Sequence, residues 1–265
     1  MNPKLIFFLT INLLMSISLV SVCQEITVMT FNIYHGEKNY VPGKSNLKQI
    51  AEVINEYKPD FVAMQEVDSL TQRTAALNQG IAQDLIKELA TLTGMYGHFG
   101  KAIDYSGGGY GEGILSRYPT RSKVYNLPIP KGGEGRALLT VSCTLPGGRE
   151  LVFAGTHLCH KYAENRQAQA EAIAAIFKDI KSPVIMGGDF NFTPGTAPYK
   201  VIGEQFSDAA VVHGDPQFTI PYHSPSERID YIFLSRNQRW LVKDVTVIRN
   251  DASDHMPVFV KLKLE

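Results

Sequence analysis

The stretch ITVMTFN at residues 26–32 is an apolar run that ends in a polar residue, Asn32. Apolar and polar side chains alternate through residues 25–33, and this alternation predicts a β-strand. The same arrangement, a strand-like apolar run beside a polar residue, recurs along the chain. The other runs are DFVAMQE (60–66), LVFAGTH (151–157), PVIMGGDFN (183–191), RIDYIFL (228–234) and DHMPVFVKL (254–262).

The polar residues of interest at or beside the ends of these runs are carboxylates, amides or imidazoles. They are Asn32, Glu66, His157, Asp189, Asn191, Asp230, Asp254 and His255. Packed α/β proteins bury the apolar parts of their strands and bind ligands at the strand ends. The set therefore predicts one polar pocket, suited to a hard divalent cation and a phosphate group.

The spacing of apolar residues predicts three helices, at residues 45–58, 81–93 and 163–178. The inward residues would be Ile81, Leu85, Leu89 and Leu92 in the second helix, and Ala168, Ala172, Ala175 and Ile176 in the third. Further strands are predicted at residues 113–116, 124–127, 184–186, 229–234, 241–248 and 257–263, and a hairpin at 137–144 and 150–156. Residues 106–111, which are rich in glycine, and residues 192–226 are expected to be loops.

The order of these elements indicates the fold class. Strands alternate with helices early in the chain, whereas the middle and the end run in hairpins. This mixture predicts an α/β fold in which two mixed β-sheets pack face to face with helices outside. A single doubly wound sheet would need more helices than the sequence shows.

Residues 1–23 are interpreted as a signal peptide, because Lys4 is their only charged residue and a long apolar run follows it. Cleavage before Gln24 would release the protein to the periplasm or the exterior. Polar residues inside the run argue against a permanent membrane span. Lipidation of Cys23, giving an outer-membrane lipoprotein, is a less favoured alternative because the preceding Val22 is bulky.

The remaining segment, residues 24–265, is expected to be one catalytic domain and a monomer. Its formal net charge falls from zero to −1 when Lys4 is removed. A chain with no basic excess is a poor match for a polyanion, so nucleic acid is a possible but not a favoured partner. Cys143 and Cys159 flank the predicted hairpin out of register, so no disulfide is expected.

The chain resembles the endonuclease/exonuclease/phosphatase superfamily, which includes deoxyribonuclease I and the inositol polyphosphate 5-phosphatases. The matching segments are TFNIYHG (30–36), MQEVD (64–68), GEGILSRYP (111–119), AGTHL (154–158), GGDFN (187–191), RIDYIF (228–233) and SDHMPV (253–258). Each segment alone is a weak signal, but their order and spacing together are specific. The resemblance implies a four-layer α/β sandwich, and within the family it is greatest to small exported bacterial members.

The resemblance also implies a Mg²⁺ or Mn²⁺ ion. Glu66 is the first candidate ligand, with Asn32 close to it and Asp254 near a second position. Mg²⁺ keeps most of its water molecules, so one or two protein carboxylates are sufficient. The alternative for Glu66 is an ordinary exposed acid in a loop.

Five residues are predicted to carry the catalysis: His157, Asp189, Asn191, Asp230 and His255. Asp189 would orient or deprotonate the attacking water, and Asn191 would hold that water or a phosphate oxygen. Asp230 is expected to pair with His255 and fix its tautomer, while His157 would stabilise the phosphate or protonate the leaving group. The alternatives are a turn carboxylate for Asp189 and a glycosylation acceptor for Asn191.

Arg73, Arg136 and His35 are predicted to bind substrate. An arginine side chain matches the oxygens of a phosphate, although either arginine is as well explained by a surface ion pair. His35 follows the first strand and is expected at the mouth of the pocket.

These residues predict a metal-dependent phosphoesterase that acts by in-line attack of water on a lipid, inositol or sugar phosphate. The alternative within the same chemistry is a secreted nuclease, which would need more lysine and arginine along a groove. A binding protein without turnover is a third hypothesis. It is disfavoured because the whole catalytic set is present.

Overall fold

A computed structural model describes residues 24–265, and over this range the chain forms two mixed six-stranded sheets. In spatial order, the first sheet contains β11 (Trp240–Val247), β12 (Val258–Leu264), β1 (Gln24–Asn32), β2 (Phe61–Ser69), β4 (Gly108–Ser116) and β3 (Tyr96–Tyr105). The second contains β5 (Arg121–Leu127), β6 (Arg136–Thr144), β7 (Glu150–His157), β8 (Val184–Asp189), β10 (Asp230–Ser235) and β9 (Phe206–Asp208).

The α-helices are α1 (Leu47–Tyr57), α2 (Gln72–Leu77), α3 (Leu85–Thr93), α4 (Ala163–Phe177), α5 (Ala197–Gln205) and α6 (Ala209–His213). α1 and α3 cover the outer face of the first sheet and α4 and α5 that of the second, whereas Ala209 and Ala210 of α6 lie in the apolar cluster between the sheets. Ile50 of α1 and Leu89 of α3 share an apolar cluster with Val62 of the first sheet. Ile173 of α4 and Ile202 of α5 do the same with residues of the second sheet. The predicted four-layer α/β sandwich is therefore confirmed.

The two sheets approach closely at their centre because small residues meet there. A Cβ atom added at Gly155 or at Gly187 would lie 3.2 Å from the Cβ atom of Ala63 in the opposite sheet. Farther along the interface, the rings of Phe61 and Phe153 stack with their centroids 5.1 Å apart. Close packing of this kind restricts how one sheet can shift on the other.

Strand direction and register bring the polar strand ends to one rim. β1 runs parallel to β2, and β7 runs parallel to β8, so in each pair the carboxyl ends lie side by side. His157 is the register partner of Asp189 across β7 and β8. Asp230 is the partner of Asp189 on the other side, because β10 runs antiparallel to β8.

Several local predictions differ from the structure. β3 was not predicted, because this edge strand lacks a regular apolar face and is largely exposed. The glycine-rich stretch expected as a loop instead forms the turn after β3 and the first four residues of β4, Gly108–Gly111. At Gly111 a Cβ atom would lie 2.1 Å from the carbonyl oxygen of Gly100, so only glycine fits. The long segment 192–226 also contains α5, β9 and α6.

The inward faces of two helices also differ from the predictions. α3 begins at Leu85 because Asp84 accepts a hydrogen bond from the backbone N–H of Lys87, and this leaves Ile81 outside the helix and 68% exposed. In α4 the predicted alanine face is not the buried one. Asn165 and Gln169 are buried instead, because each hydrogen-bonds the backbone of a neighbouring loop.

Two further predictions concern the membrane and the cysteines. Over residues 24–265, the helices are too short or too polar to cross a lipid bilayer. Cys143 and Cys159 are both buried with free thiols, as expected, and the register partner of Cys143 across the hairpin is Leu151. The predicted signal peptide and the candidate lipidation site at Cys23 lie outside the described residues.

Candidate active site at the rim between the two sheets

The polar rim is built by both sheets. Asn32 ends β1 and Glu66 lies in β2, while His157 ends β7 and Asp189 ends β8. Glu66 has a φ of +57°, at a point where the β2–β4 pairing shifts register. A glutamate in this strained conformation is typical of a functional position, because the irregularity turns its side chain away from the regular strand direction.

Asp189 is the centre of the arrangement. Its Oδ1 atom accepts a hydrogen bond from the backbone N–H of Asn191 at 3.0 Å, and its Oδ2 atom accepts one from Nδ2 of Asn32 at 3.2 Å. The same Oδ2 atom lies 3.4 Å from Nε2 of His157 and 3.6 Å from Nε2 of His255. Burial raises the pKa of Asp189 above that of an ordinary carboxyl group, which makes it a stronger base.

Asp230 and His255 form a pair, as their placement beside apolar strands predicts. Nδ1 of His255 lies 3.0 Å from Oδ2 and 3.1 Å from Oδ1 of Asp230, and the hydroxyl group of Thr219 donates to Oδ2 at 2.6 Å. Burial alone would lower the pKa of His255, but the charges of Asp230 and Asp189 outweigh it and raise this pKa. We therefore assign a positive charge to His255 at neutral pH.

His157 differs from His255 in its charge state. Burial and the nearby guanidinium of Arg136 hold the pKa of His157 well below the ordinary histidine value. Nη1 of Arg136 lies 3.4 Å from Nδ1 of His157, so Nδ1 is the acceptor and the hydrogen of the neutral ring is on Nε2. That hydrogen points toward Asp189. His157 is thus a neutral donor beside a charged His255.

Arg136 lies at the wall of the cavity and is only 3% exposed. Its Nη1 atom is 2.6 Å from Oε1 of Glu134, and its Nη2 atom is 3.2 Å from Nδ1 of His160. Its Nε atom is buried without a hydrogen-bond partner. Glu134 was not singled out from the sequence, although its place two residues before Arg136 in the glycine-rich segment GEGR is a signal that could have identified it.

A cavity of about 270 Å³ opens between these side chains. The lining residues are Glu66, Tyr110, Glu134, Arg136, His157, His160, Asp189, Asn191 and His255. Tyr110 is a further residue that the sequence analysis missed, because it lies in the glycine-rich stretch that was taken for a flexible loop. The cavity therefore combines three carboxylates with an arginine and imidazoles, which suits a metal ion and a phosphate group together.

Glu66 is held by two neighbours. Nδ2 of Asn32 lies 3.1 Å from its Oε1 atom, and Nδ1 of His35 lies 3.5 Å from its Oε2 atom. Burial alone would raise the pKa of Glu66, but the hydrogen bonds from His35 and Asn32 help to lower it to about 2. The carboxylate is therefore charged at neutral pH, and its side chain is 21% exposed toward the cavity.

The residues around Glu66 fit a hard divalent cation. Burial and the negative charge of Glu66 raise the pKa of Asp254, as expected of two carboxylates that face the same region. A cation between them would relieve this repulsion. Asp189, Asp230 and His255 also lie within 4.8 Å of one another, but His255 already takes up the space between the two aspartates.

The structure argues against two of the predicted contact roles. The amide oxygen of Asn32 accepts a hydrogen bond from the backbone N–H of Tyr34, and its amide nitrogen faces Glu66 and Asp189. Asn32 therefore holds carboxylates in place and does not turn an oxygen toward a metal. His35 likewise contacts Glu66 and lies outside the lining of the cavity.

Arg73 is engaged elsewhere. Its Nε and Nη2 atoms donate to both oxygens of the buried Asp68, at 2.8 and 2.7 Å, and its guanidinium lies 4.7 Å from the ring centroid of Tyr105. Arg73 does not line the cavity. Of the two predicted phosphate-binding arginines, Arg136 is thus the one that the fold brings to the predicted catalytic residues.

Solved structures with this fold include proteins from bacteria and from humans. An endonuclease/exonuclease/phosphatase from Beutenbergia cavernae has 23% identity and a TM-score of 0.68, over 91% of this chain and 72% of that one. A mannosyl-6-phosphatase from Bacteroides thetaiotaomicron has 19% identity and a TM-score of 0.71, over 89% and 99%. The catalytic domain of human nocturnin, with a bound sulfate anion, has 21% identity and a TM-score of 0.69, over 91% and 95%.

A comparison with curated proteins gave no match. The sequence profile described as the Endonuclease/Exonuclease/phosphatase family, in contrast, matches residues 29–255. This match covers nearly all of the described chain, including the strands and the loop that supply the rim residues. The protein therefore belongs to the endonuclease/exonuclease/phosphatase family and is a hydrolase of phosphate esters.

Proposed function

We propose that the protein is a Mg²⁺- or Mn²⁺-dependent phosphatase or phosphodiesterase that acts on a small phosphate ester. The observation that carries this proposal is the position of Asp189. Its carboxylate is approached by Asn32 from the first sheet, by His157 from the second, and by His255 from the loop before β12. This arrangement suits attack of a held water on a phosphate that the surrounding residues neutralise.

In the proposed reaction Asp189 orients the water and accepts its proton, because burial makes its carboxylate more basic than usual. Asn191 is held beside it by a hydrogen bond from its Nδ2 atom to the carbonyl oxygen of Leu158, at 3.1 Å. The rest of the Asn191 amide faces the cavity, where it holds the water or a phosphate oxygen. Both residues then act on the same side of the phosphorus atom.

The two histidines have different parts in this proposal. His255 is charged and stabilises the negative charge that develops on the phosphate, and Asp230 keeps it charged and oriented. His157 is neutral, and when substrate binds, its Nε2 hydrogen donates to a phosphate oxygen in place of Asp189. A divalent cation at Glu66, with Asp254 nearby, would supply further charge neutralisation and polarise the ester.

Hydrolysis of p-nitrophenyl phosphate and bis-p-nitrophenyl phosphate tests the proposed activity. We expect turnover of at least one of them with Mg²⁺ or Mn²⁺, loss of turnover in EDTA, and recovery when the metal is restored. Circular dichroism in EDTA serves as the control that the protein is still folded. Inactivity of folded protein with every substrate and metal would contradict the proposal.

The proposed substrates are lipid headgroup, inositol and sugar phosphates. The small cavity and the fold shared with a mannosyl-6-phosphatase support this choice, as does the lack of a basic excess. A panel of these phosphates, with release of inorganic phosphate as the readout, would rank the classes. Nicking of a supercoiled plasmid at a comparable rate would instead favour a nuclease.

We also propose that the catalytic domain is exported as a monomer. The apolar segment at residues 1–23 supports export. Mass spectrometry of the protein from its native host would distinguish a new N-terminus at Gln24 from a lipid on Cys23. An N-terminus at Met1 in the cytoplasmic fraction would contradict export, and sedimentation analysis would test the monomer.

A further inference from the structure

Glu134 is a cavity residue to which the proposed chemistry gives no role. Its Oε1 atom lies 2.6 Å from Nη1 of Arg136, closer to the guanidinium than either histidine nitrogen, at 3.4 and 3.2 Å. The Glu134 side chain is 35% exposed, whereas that of Arg136 is only 3% exposed. A partly exposed carboxylate thus contacts a buried cation that faces the proposed catalytic histidines.

Arg136 has the properties of a phosphate-binding group. It is charged, lies between the imidazoles of His157 and His160, and its Nε atom is buried without a partner. The imidazoles accept its hydrogen bonds but do not neutralise its charge. Burial alone lowers the pKa of Arg136, and Glu134 is the main group that raises it again. A carboxylate and a phosphate oxygen therefore compete for the same donor.

The loop that carries Glu134 is anchored away from its carboxylate. Oδ1 of the buried Asn165 accepts from the backbone N–H of Lys131 at 2.9 Å, and its Nδ2 atom donates to the carbonyl oxygen of Gly132, also at 2.9 Å. These bonds hold the loop backbone on α4. Because the Glu134 side chain is partly exposed, it can rotate into solvent while the loop stays in place.

We propose that Glu134 occupies the phosphate-binding position on Arg136 in the free protein, and that a phosphate ester must displace it to bind. Glu134 is then a determinant of substrate affinity that lowers the affinity of the site for phosphate anions. The inference rests on the proposed function, because the displacing anion is the phosphate of the substrate. Displacing Glu134 makes phosphate binding less favourable, an effect that none of the proposed catalytic residues produces.

The physical reason concerns the charge left behind when the carboxylate is removed. A buried guanidinium without a counter-ion is costly, so it attracts any anion that can reach it. The nearby carboxylates of Glu66 and Asp189 repel a phosphate unless a cation is present. With Glu134 in place, binding therefore depends strongly on the divalent metal. Without Glu134, Arg136 alone should retain part of the affinity for phosphate when the metal is removed.

Isothermal titration of inorganic phosphate into wild type and Glu134→Gln, with Mg²⁺ and with EDTA, tests this inference. We expect Glu134→Gln to bind phosphate at least about five-fold more tightly with Mg²⁺, because a competing charge is gone. We also expect measurable binding in EDTA, where wild type shows none. The KM for the best substrate should fall in parallel, with a smaller change in kcat.

Glu164→Gln is the matched control. Glu164 pairs with Lys131 next to the same loop at 3.5 Å, is 60% exposed and does not line the cavity, so its removal should leave the Kd for phosphate unchanged. Glu134→Asp keeps the negative charge on a shorter side chain and guards against misfolding of the Gln variant. It should tighten phosphate binding by a smaller factor.

Equal or weaker phosphate binding by Glu134→Gln, or by a folded Glu134→Asp if the Gln variant does not fold, would overturn the inference. In that case Glu134 would only orient Arg136. The proposed function fails separately. If wild type with Mg²⁺ neither binds phosphate nor hydrolyses any ester, the site itself has been misassigned. If wild type does both and the Glu134 variants match it, only the role of Glu134 is wrong.

Discussion

At the scale of single residues, Asp189 connects side chains from both sheets, so its substitution separates chemistry from folding. Asp189→Asn keeps the shape of the side chain but removes the basic oxygen. We expect kcat to fall by about 10²- to 10⁴-fold, the usual contribution of a positioned base. Steady-state kinetics with unchanged circular dichroism would check this. Asp179→Asn, at an exposed position after α4, is the control, and a loss below ten-fold at Asp189 would contradict the assigned role.

Glu66 gives a second test at this scale, directed at the metal. Its carboxylate is charged at neutral pH because its pKa is about 2. Glu66→Gln removes the charge and should raise the Mg²⁺ concentration needed for half-maximal activity by about ten-fold or more, equivalent to about 1.4 kcal/mol. Mg²⁺ should raise the melting temperature of wild type but not of this variant. An unchanged Mg²⁺ requirement would place the ion elsewhere.

At the scale of elements, β4 carries a carboxyl group into the interface between the sheets. Glu112 pairs in register with Gly100, whose Cβ position lies 3.0 Å from Leu139 of the opposite sheet, so Glu112 faces that sheet as well. It is 1% exposed, and its Oε2 atom has no hydrogen-bond partner. Burial raises the pKa of Glu112 well above its ordinary value of 4.5, which favours the protonated form in the folded protein.

This protonation makes stability depend on pH. Because the pKa of Glu112 is higher in the folded than in the unfolded state, its contribution is complete below about pH 4.5. It is lost as the pH rises toward the folded pKa, by about 1.4 kcal/mol per pH unit. Glu112→Gln is always neutral, so it should raise the free energy of unfolding at pH 8 more than at pH 4. Urea unfolding in EDTA measures both values, and an equal effect at the two pH values would contradict the protonated state.

At the scale of the whole molecule, the distance between the sheets sets the geometry of the site, since each sheet supplies part of it. Ala63→Leu adds volume where Ala63 meets Gly155 and Gly187. We expect a loss of about 1–3 kcal/mol from overpacking, together with a lower kcat because the rim residues move apart. Urea unfolding and kinetics would show both effects. Val124→Leu, on the exposed face of the edge strand β5, should change neither, and unchanged stability of Ala63→Leu would contradict the close approach.

The local pattern of the chain was sufficient to place most of the strands and to identify Asp189, His157, Asp230 and His255 as neighbours in space. Alternation and strand ends are short-range features, so they can be read from consecutive residues. The pairing of Asp230 with His255 followed from the same reasoning. The inward face of α4 was not predicted correctly. Asn165 and Gln169 are buried because they hydrogen-bond loops, and helical periodicity does not describe such contacts.

The hydrogen-bond partners of the charged residues can be read only from the folded structure. Sequence alone gave equal weight to Arg73 and Arg136, yet Asp68 engages Arg73 while Arg136 reaches the histidines. Glu112 and Glu134 matter because of what lies across an interface or a loop from them. Such contacts depend on how two sheets settle against each other, and that depends on the volumes of side chains far apart in the chain. Residue types and their strand positions are thus encoded locally, whereas charge states and contacts arise only when the sheets pack.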